Sequence, residues 1–156
     1  MGKIPPIKVP LHFAFPEIDI KFTKLHPDAI APTKGYVDDA AFDLYTYQKL
    51  IIPPHSMMLV KVGIAVECPP YICWTLRSRG SMHTGGVWVY PGMGDPGYRG
   101  DVGVNAWNTT NHPLIYSKGE RIGQIQFMFR PTINLIEVET IEESSRNTKG
   151  FGSTGR

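Results

Sequence analysis

Proline and glycine interrupt this chain at strand-length intervals, and that punctuation limits what it can fold into. The 156 residues include 14 prolines and 16 glycines. Proline removes a backbone donor and glycine costs backbone entropy, so helical period is sustained in no more than one short piece. Between the breaks, apolar and polar residues alternate with the period of half-buried strands. Strands are expected over residues 19–25 (Ile18, Ile20 and Phe22 on one face), 40–46, 50–52, 57–66, 71–77, 102–107, 115–116, 124–129 and 134–139. The pattern predicts an all-β chain, a β-sandwich or jelly roll.

At 42% hydrophobic and 19% charged residues, the chain reads as one soluble domain with a substantial core. A net charge of +2 without clustered Lys and Arg argues against nucleic acid as a partner. No apolar run reaches membrane-spanning length, and Met1 to Pro6 lacks a signal core, so an intracellular soluble protein is expected. On that expectation Asn108-Thr109-Thr110 is a false match to the glycosylation pattern. Cys68 and Cys73 fit no zinc or redox spacing and are expected as buried packing residues, with a local disulfide as the alternative. Residues 1–17 are expected as a proline-rich arm on a β domain spanning 1–142, and residues 143–156 as a flexible C-terminal arm.

The span from Leu76 to Asp101 departs from plain alternation. Gly80, Gly85, Gly86, Gly92, Gly94, Gly97 and Gly100 fall within it, weakening regular structure but allowing backbone to approach a ligand closely. Arg77 and Ser78 stand at its start, at the end of a strand with Ile72, Trp74 and Leu76 on one face, so Arg77 is expected on the other. Asp95-Pro96-Gly97 reads as a tight turn, proline presetting one corner and glycine offering a left-handed second. Asp95 is then either a solvated loop carboxylate or a candidate base. Asp43, between Phe42 and Leu44, is expected to be structural, solvent-facing or a buried partner for an arginine. Arg79 is read as solvated, with a second phosphate ligand as the alternative, and His83 as an exposed loop histidine, with a phosphate contact as the alternative.

The C-terminal residues have the composition of a flexible end, yet Gly150-Phe151-Gly152-Ser153-Thr154-Gly155 also offers hydroxyls and unhindered N–H groups for phosphate oxygens and a ring for a base. It is not a P-loop, since no Gly-Lys-Ser/Thr follows the glycines.

Five pieces in order resemble the motifs of the homotrimeric dUTPase family. They are Ala41 to Leu44, Arg77-Ser78, Gly92 to Asp101, Gly119 to Gln124, and Arg146 with Gly150 to Gly155. The resemblance implies a distorted jelly roll whose C-terminal arm is exchanged between subunits. It also implies hydrolysis of dUTP to dUMP and pyrophosphate, with each active site shared among three chains. By the same resemblance Asp95 is the base that activates water for attack on the α-phosphorus, and Tyr98 packs under the deoxyribose. Arg77, Ser78 and Gln124 bind phosphate, with Gly92 in the substrate-binding hairpin and Asp43 in support. Arg146 approaches the phosphates, Phe151 covers the uracil, and Gly152, Ser153 and Thr154 bind the γ-phosphate end. Mg²⁺ is held mainly by the triphosphate, with no protein metal ligand implied. Gly94 departs from the family pattern, which usually has isoleucine or a similar residue there, and Arg79 is a further departure.

Two other functions remain to be weighed. The Asp95-Pro96-Gly97 turn also resembles that of dCTP deaminases, whose chemistry needs a glutamate where this chain has Asn105, which cannot serve as a general base. A nucleotide-sensing binding protein of the same fold is the other, and a scaffold has no need of Asp95, Tyr98, Arg146 and Phe151 together.

Overall fold

The computed structural model describes residues 17–144. Eleven strands and one short helix make up its regular elements, and the strands pair antiparallel. They are β1 (Lys21–Lys24), β2 (Phe42–Tyr45), β3 (Leu50–Ile52), β4 (Met57–Lys61), β5 (Ile64–Glu67) and β6 (Ile72–Arg77). After the helix α1 (Gly80–Thr84) come β7 (Val87–Tyr90), β8 (Met93–Gly94), β9 (Gly103–Asn108), β10 (Leu114–Tyr116) and β11 (Arg121–Phe129).

The strands assemble into a four-stranded sheet β2-β11-β6-β8, a three-stranded sheet β4-β9-β7, and the pairs β1-β5 and β10-β3. The two larger sheets contribute to one core. Leu44, Trp74, Leu76, Ile122 and Ile125 come from the first, and Val60, Val87, Val89, Val104 and Ala106 from the second. Along β9, Val104 and Ala106 are buried while Trp107 is exposed, the alternation read from the sequence. Gly123 lies where the sheets meet, and a Cβ there would stand 3.2 Å from Val104 Cγ1. Asn108 is fully buried: its Nδ2 donates to the carbonyls of Ile52, Pro53 and His112, and its Oδ1 accepts from Thr110. That side chain is engaged in holding the fold, which removes it as a glycosylation acceptor.

Several boundaries differ from the sequence reading. The expected strand over 57–66 is two strands, because Gly63 takes φ +72° between β4 and β5, where a Cβ would press on Ala29. The first strand is confined to Lys21–Lys24, and each of its residues is exposed. No strand forms over 134–139: Leu135, Ile136 and Val138 are exposed, and no sheet edge among the described residues receives them. The glycine-rich span holds more regular structure than expected, namely α1, β7 and β8. Cys68 and Cys73 are buried free thiols, as expected.

Candidate active site

The sequence-predicted residues fall into two groups on one chain. The first is a polar row across three strands. On the β6–β11 pairing Arg77 stands opposite Gln124, and on the β2–β11 pairing Gln124 stands opposite Asp43. Asp43 is 5% exposed, and a buried carboxylate is tolerated only when its oxygens are satisfied. Gln124 Nε2 donates to its Oδ1 at 3.0 Å, Arg79 Nε to the same oxygen at 2.9 Å, and Arg121 Nε lies 2.9 Å from Oδ2. The structural expectation for Asp43 therefore holds, and its arginine partners are named.

Arg79 corrects the sequence reading: it is half-buried and ion-paired, not solvated. Its Nη1 also reaches Ser81 Oγ at 3.4 Å. Arg121 contacts the Tyr45 hydroxyl at 3.4 Å, and this hydrogen bond, followed by the charges of Tyr45 and Asp43, pushes its guanidinium above the ordinary arginine range. Beside these arginines opens a cavity of about 530 Å³. Arg77 is exposed at the end of β6, as expected. Ser78 Oγ accepts the Val89 N–H at 2.7 Å, which fixes the side chain and leaves its own proton to donate. His83 is exposed and stacks on Trp88 at 4.3 Å.

The second group is the hairpin after β8. Tyr98 N–H donates to the Asp95 carbonyl at 3.0 Å, closing the expected turn across Pro96 and Gly97. Gly97 is not at positive φ, so the left-handed corner expected there is not used. Arg99 Nη1 braces the turn through the carbonyls of Pro96 (2.6 Å) and Tyr98 (3.0 Å). Asp101 secures the exit. Its Oδ1 accepts the Gly63 N–H at 2.9 Å, and its carbonyl accepts from the Tyr98 hydroxyl and Lys61 Nζ. A cavity of about 300 Å³ opens here, lined in part by Trp74, Gly92, Gly94, Asp95 and Tyr98. That volume and mixed lining suit a nucleoside-sized ligand. The Asp95 side chain is exposed and makes no hydrogen bond or ion pair among the described residues, so its lone pairs are available to accept a proton.

Trp74 was not singled out from the sequence as a site residue. Its indole fills the place of a Gly94 side chain, its ring lies 6.2 Å from that of Tyr98, and its Nε1 is buried without a partner. The large residue and the missing side chain were both visible, but their pairing across β6 and β8 was not.

The two groups do not converge within one chain. On the β6–β8 register Gly94 faces Trp74, so Asp95 and Arg77 sit toward opposite ends, separated by about 13 Å at ~3.3 Å per residue. The two cavities share no lining residue. Arg146, Phe151, Gly152, Ser153 and Thr154 lie outside the described residues.

The chain is similar to proteins of one family. The dUTPase family model matches residues 27–155. The deoxyuridine 5'-triphosphate nucleotidohydrolase of Clostridioides difficile is 34% identical over 140 residues, covering 88% of this chain and 98% of its own. That of Gloeothece citriformis is 35% identical over 139 residues, covering 87% and 96%. The Staphylococcus bacteriophage 80alpha dUTPase with dUpNHpp superimposes with a TM-score of 0.82 at 24% identity, covering 88% of this chain and 99% of its own. A dUTPase from phage phi11 of S. aureus, described as coordinating a structural Mg(II) ion, gives a TM-score of 0.76 at 19% identity, covering 80% and 99%.

Proposed function

This chain belongs to the dUTPase family and hydrolyses dUTP to dUMP and pyrophosphate, and from that premise we propose how its residues divide the work. The observation that carries the proposal is the separation of Asp95 from the Arg77–Gln124–Asp43 row. A base some 13 Å along the sheet from the phosphate-binding residues serves them best if the two belong to different copies of the chain. The active assembly is a homotrimer, each site combining the row of one subunit with the hairpin of a second and the C-terminal arm of a third.

The outer face of β4-β9-β7 supports assembly. Met57, Leu59, Trp88, Tyr90 and Trp107 are all exposed there, a contiguous apolar face of the kind that marks an interaction surface. The exposed alternating residues over 133–141 suit an arm that finds its partner strand on another subunit.

Within a site, Asp95 accepts a proton from the attacking water as it adds to the α-phosphorus, and pyrophosphate leaves. Arg77, the Ser78 hydroxyl and Gln124 hold phosphate oxygens, with Asp43 fixing Gln124 from behind. Tyr98 lies under the deoxyribose, its hydroxyl tied to the Asp101 carbonyl, and Gly92 lines the nucleoside pocket. Arg146, Phe151, Gly152, Ser153 and Thr154 act as the resemblance implies, on the phosphates and over the uracil.

Among the described residues no group of three or more His, Cys, Asp or Glu side chains could cage a metal. The residues fit a Mg²⁺ that arrives on the triphosphate, whose hard oxygens suit it. When bound it supplies charge neutralisation along the phosphates.

Pyrophosphate and ammonia release from dUTP, dCTP, dTTP and UTP tests the reading. Pyrophosphate from dUTP alone is expected; ammonia from dCTP, or dUTP binding without turnover, would overturn it.

A further inference from the structure

We propose that Trp74 is a positioning residue for sugar selection: its indole sets the tilt of the Tyr98 ring, and through it the preference of the nucleoside pocket for deoxyribose over ribose. The inference deepens the dUTPase reading and rests on it.

Core packing alone does not call for an indole at this position. Trp74 is 5% exposed, and its Nε1 is buried without a partner among the described residues. A buried donor left unpaired is a cost that a leucine or phenylalanine on the same strand would not carry. What the indole has over those side chains is reach. From β6 it crosses Gly94 on β8, its register partner, where the missing side chain leaves the ring its space. It also meets Tyr98, the two ring centroids 6.2 Å apart and the planes at 59°, within the range of a favourable aromatic pair. Both rings line the cavity to which Gly92 and Asp95 contribute.

Tyr98 needs such a wall. It is 42% exposed and follows a turn instead of lying in a strand. Its tip is tied, because the hydroxyl donates to the Asp101 carbonyl at 3.1 Å, and Gly100, where a Cβ would collide with that hydroxyl, lets it lie close to the backbone. A phenol held at its Cβ and its hydroxyl can still turn about the line joining them, since χ2 of such a ring has broad wells. The indole packed against it limits that rotation. Rotation matters where a sugar lies against the ring. A 2′-hydroxyl pressed on a fixed aromatic face loses its water and gains no partner, whereas a ring free to turn makes room for it.

The test is calorimetric titration of the full chain with the nonhydrolysable α,β-imido analogues of dUTP, UTP and dTTP, on wild type, Trp74→Val, and Trp74→Val combined with Gly94→Val. In Trp74→Val the preference for the dUTP over the UTP analogue should fall about tenfold, part of the roughly 10²-fold that a shaped pocket can set against one added hydroxyl. The preference for the dUTP over the dTTP analogue should stay at its wild-type value, which a general loosening of the pocket would not allow. The double variant refills part of the vacated space from β8 and keeps the test open if Trp74→Val does not fold. With no ring against Tyr98, it should show the same tenfold fall. A wild-type sugar preference in the double variant, or an equal loss of sugar and base preference in either variant, would overturn the role. Titration needs no turnover, so a failure of the dUTPase reading would show separately, as absent pyrophosphate release from dUTP.

Discussion

Trp74 and Gly94 are one steric unit: the indole occupies the place where a side chain on Gly94 would lie, and a Cβ there would fall against Cε2, Cζ2 and Cδ2 of the ring. The space beside the residue before Asp95 is filled by a tryptophan reaching in from the neighbouring strand.

Gly94→Val should therefore destabilise the protein by about 3 kcal/mol, since a buried ring must leave its rotamer or the β8 strand must shift. Combining it with Trp74→Val should recover part of that loss, a coupling that chemical denaturation of the double-mutant cycle reads directly. Additive losses would mean that the two positions do not share the space.

Asp43→Ala removes the carboxylate that holds two arginines and Gln124. A loss of about 3 kcal/mol is expected in urea unfolding, because like charges are left facing each other in a partly buried place. dUTP turnover should fall as well, because Gln124 and Arg79 lose their orientation. Unchanged stability would show that the arginines find solvent at no cost.

The extent to which this was legible in the sequence follows from the range of each interaction. The strands Phe42–Tyr45, Leu50–Ile52 and Ile72–Arg77 were readable because alternation between breakers is a local property. The five motif pieces were readable for the same reason. Arg79 was misread because its partner lies 36 residues away, on a strand that local pattern cannot place beside it. The alternation over 134–139 was real as a pattern but found no sheet edge among the described residues, and period two specifies a strand only when something pairs with it. Gly97 was assigned a left-handed corner on composition, whereas the Pro96-Gly97 turn closes without one.

Alkaline pH should weaken the fold through one buried and one half-buried group. Burial pushes the Cys68 thiol above its ordinary 9.0, with Arg99 opposing and Cys73 adding to the shift. Burial, then Glu120, pushes Tyr116 above 10.0. Both groups have folded pKa values above their unfolded ones, so the unfolded chain releases these protons first. Their contribution is fully present below the unfolded values and is lost as pH rises through the folded values. Thermal unfolding should show Tm falling above about pH 9, and Cys68→Ala should delay the onset toward the tyrosine range. An onset unmoved by that substitution would assign the alkaline limb to other groups.

The exposed tryptophans on β7 and β9 make assembly testable. Trp88 and Trp107 are directly paired across the strands, so Trp107→Glu places a charge in the middle of the apolar face. Sedimentation should then report smaller species than wild type, with dUTP turnover lost in parallel. A monomer that retains full activity would contradict the shared site.

The division of the site between copies is tested most directly by mixing two inactive variants, Asp95→Asn and Arg77→Ala, after unfolding and refolding them together. Each alone should lose about 10²-fold or more in turnover. If Asp95 and Arg77 serve one site from different subunits, random assembly restores about a quarter of the sites, and dUTP hydrolysis reappears in the mixture. A mixture as inactive as its two components, though sedimentation shows co-assembly, would place both residues of each site on a single chain.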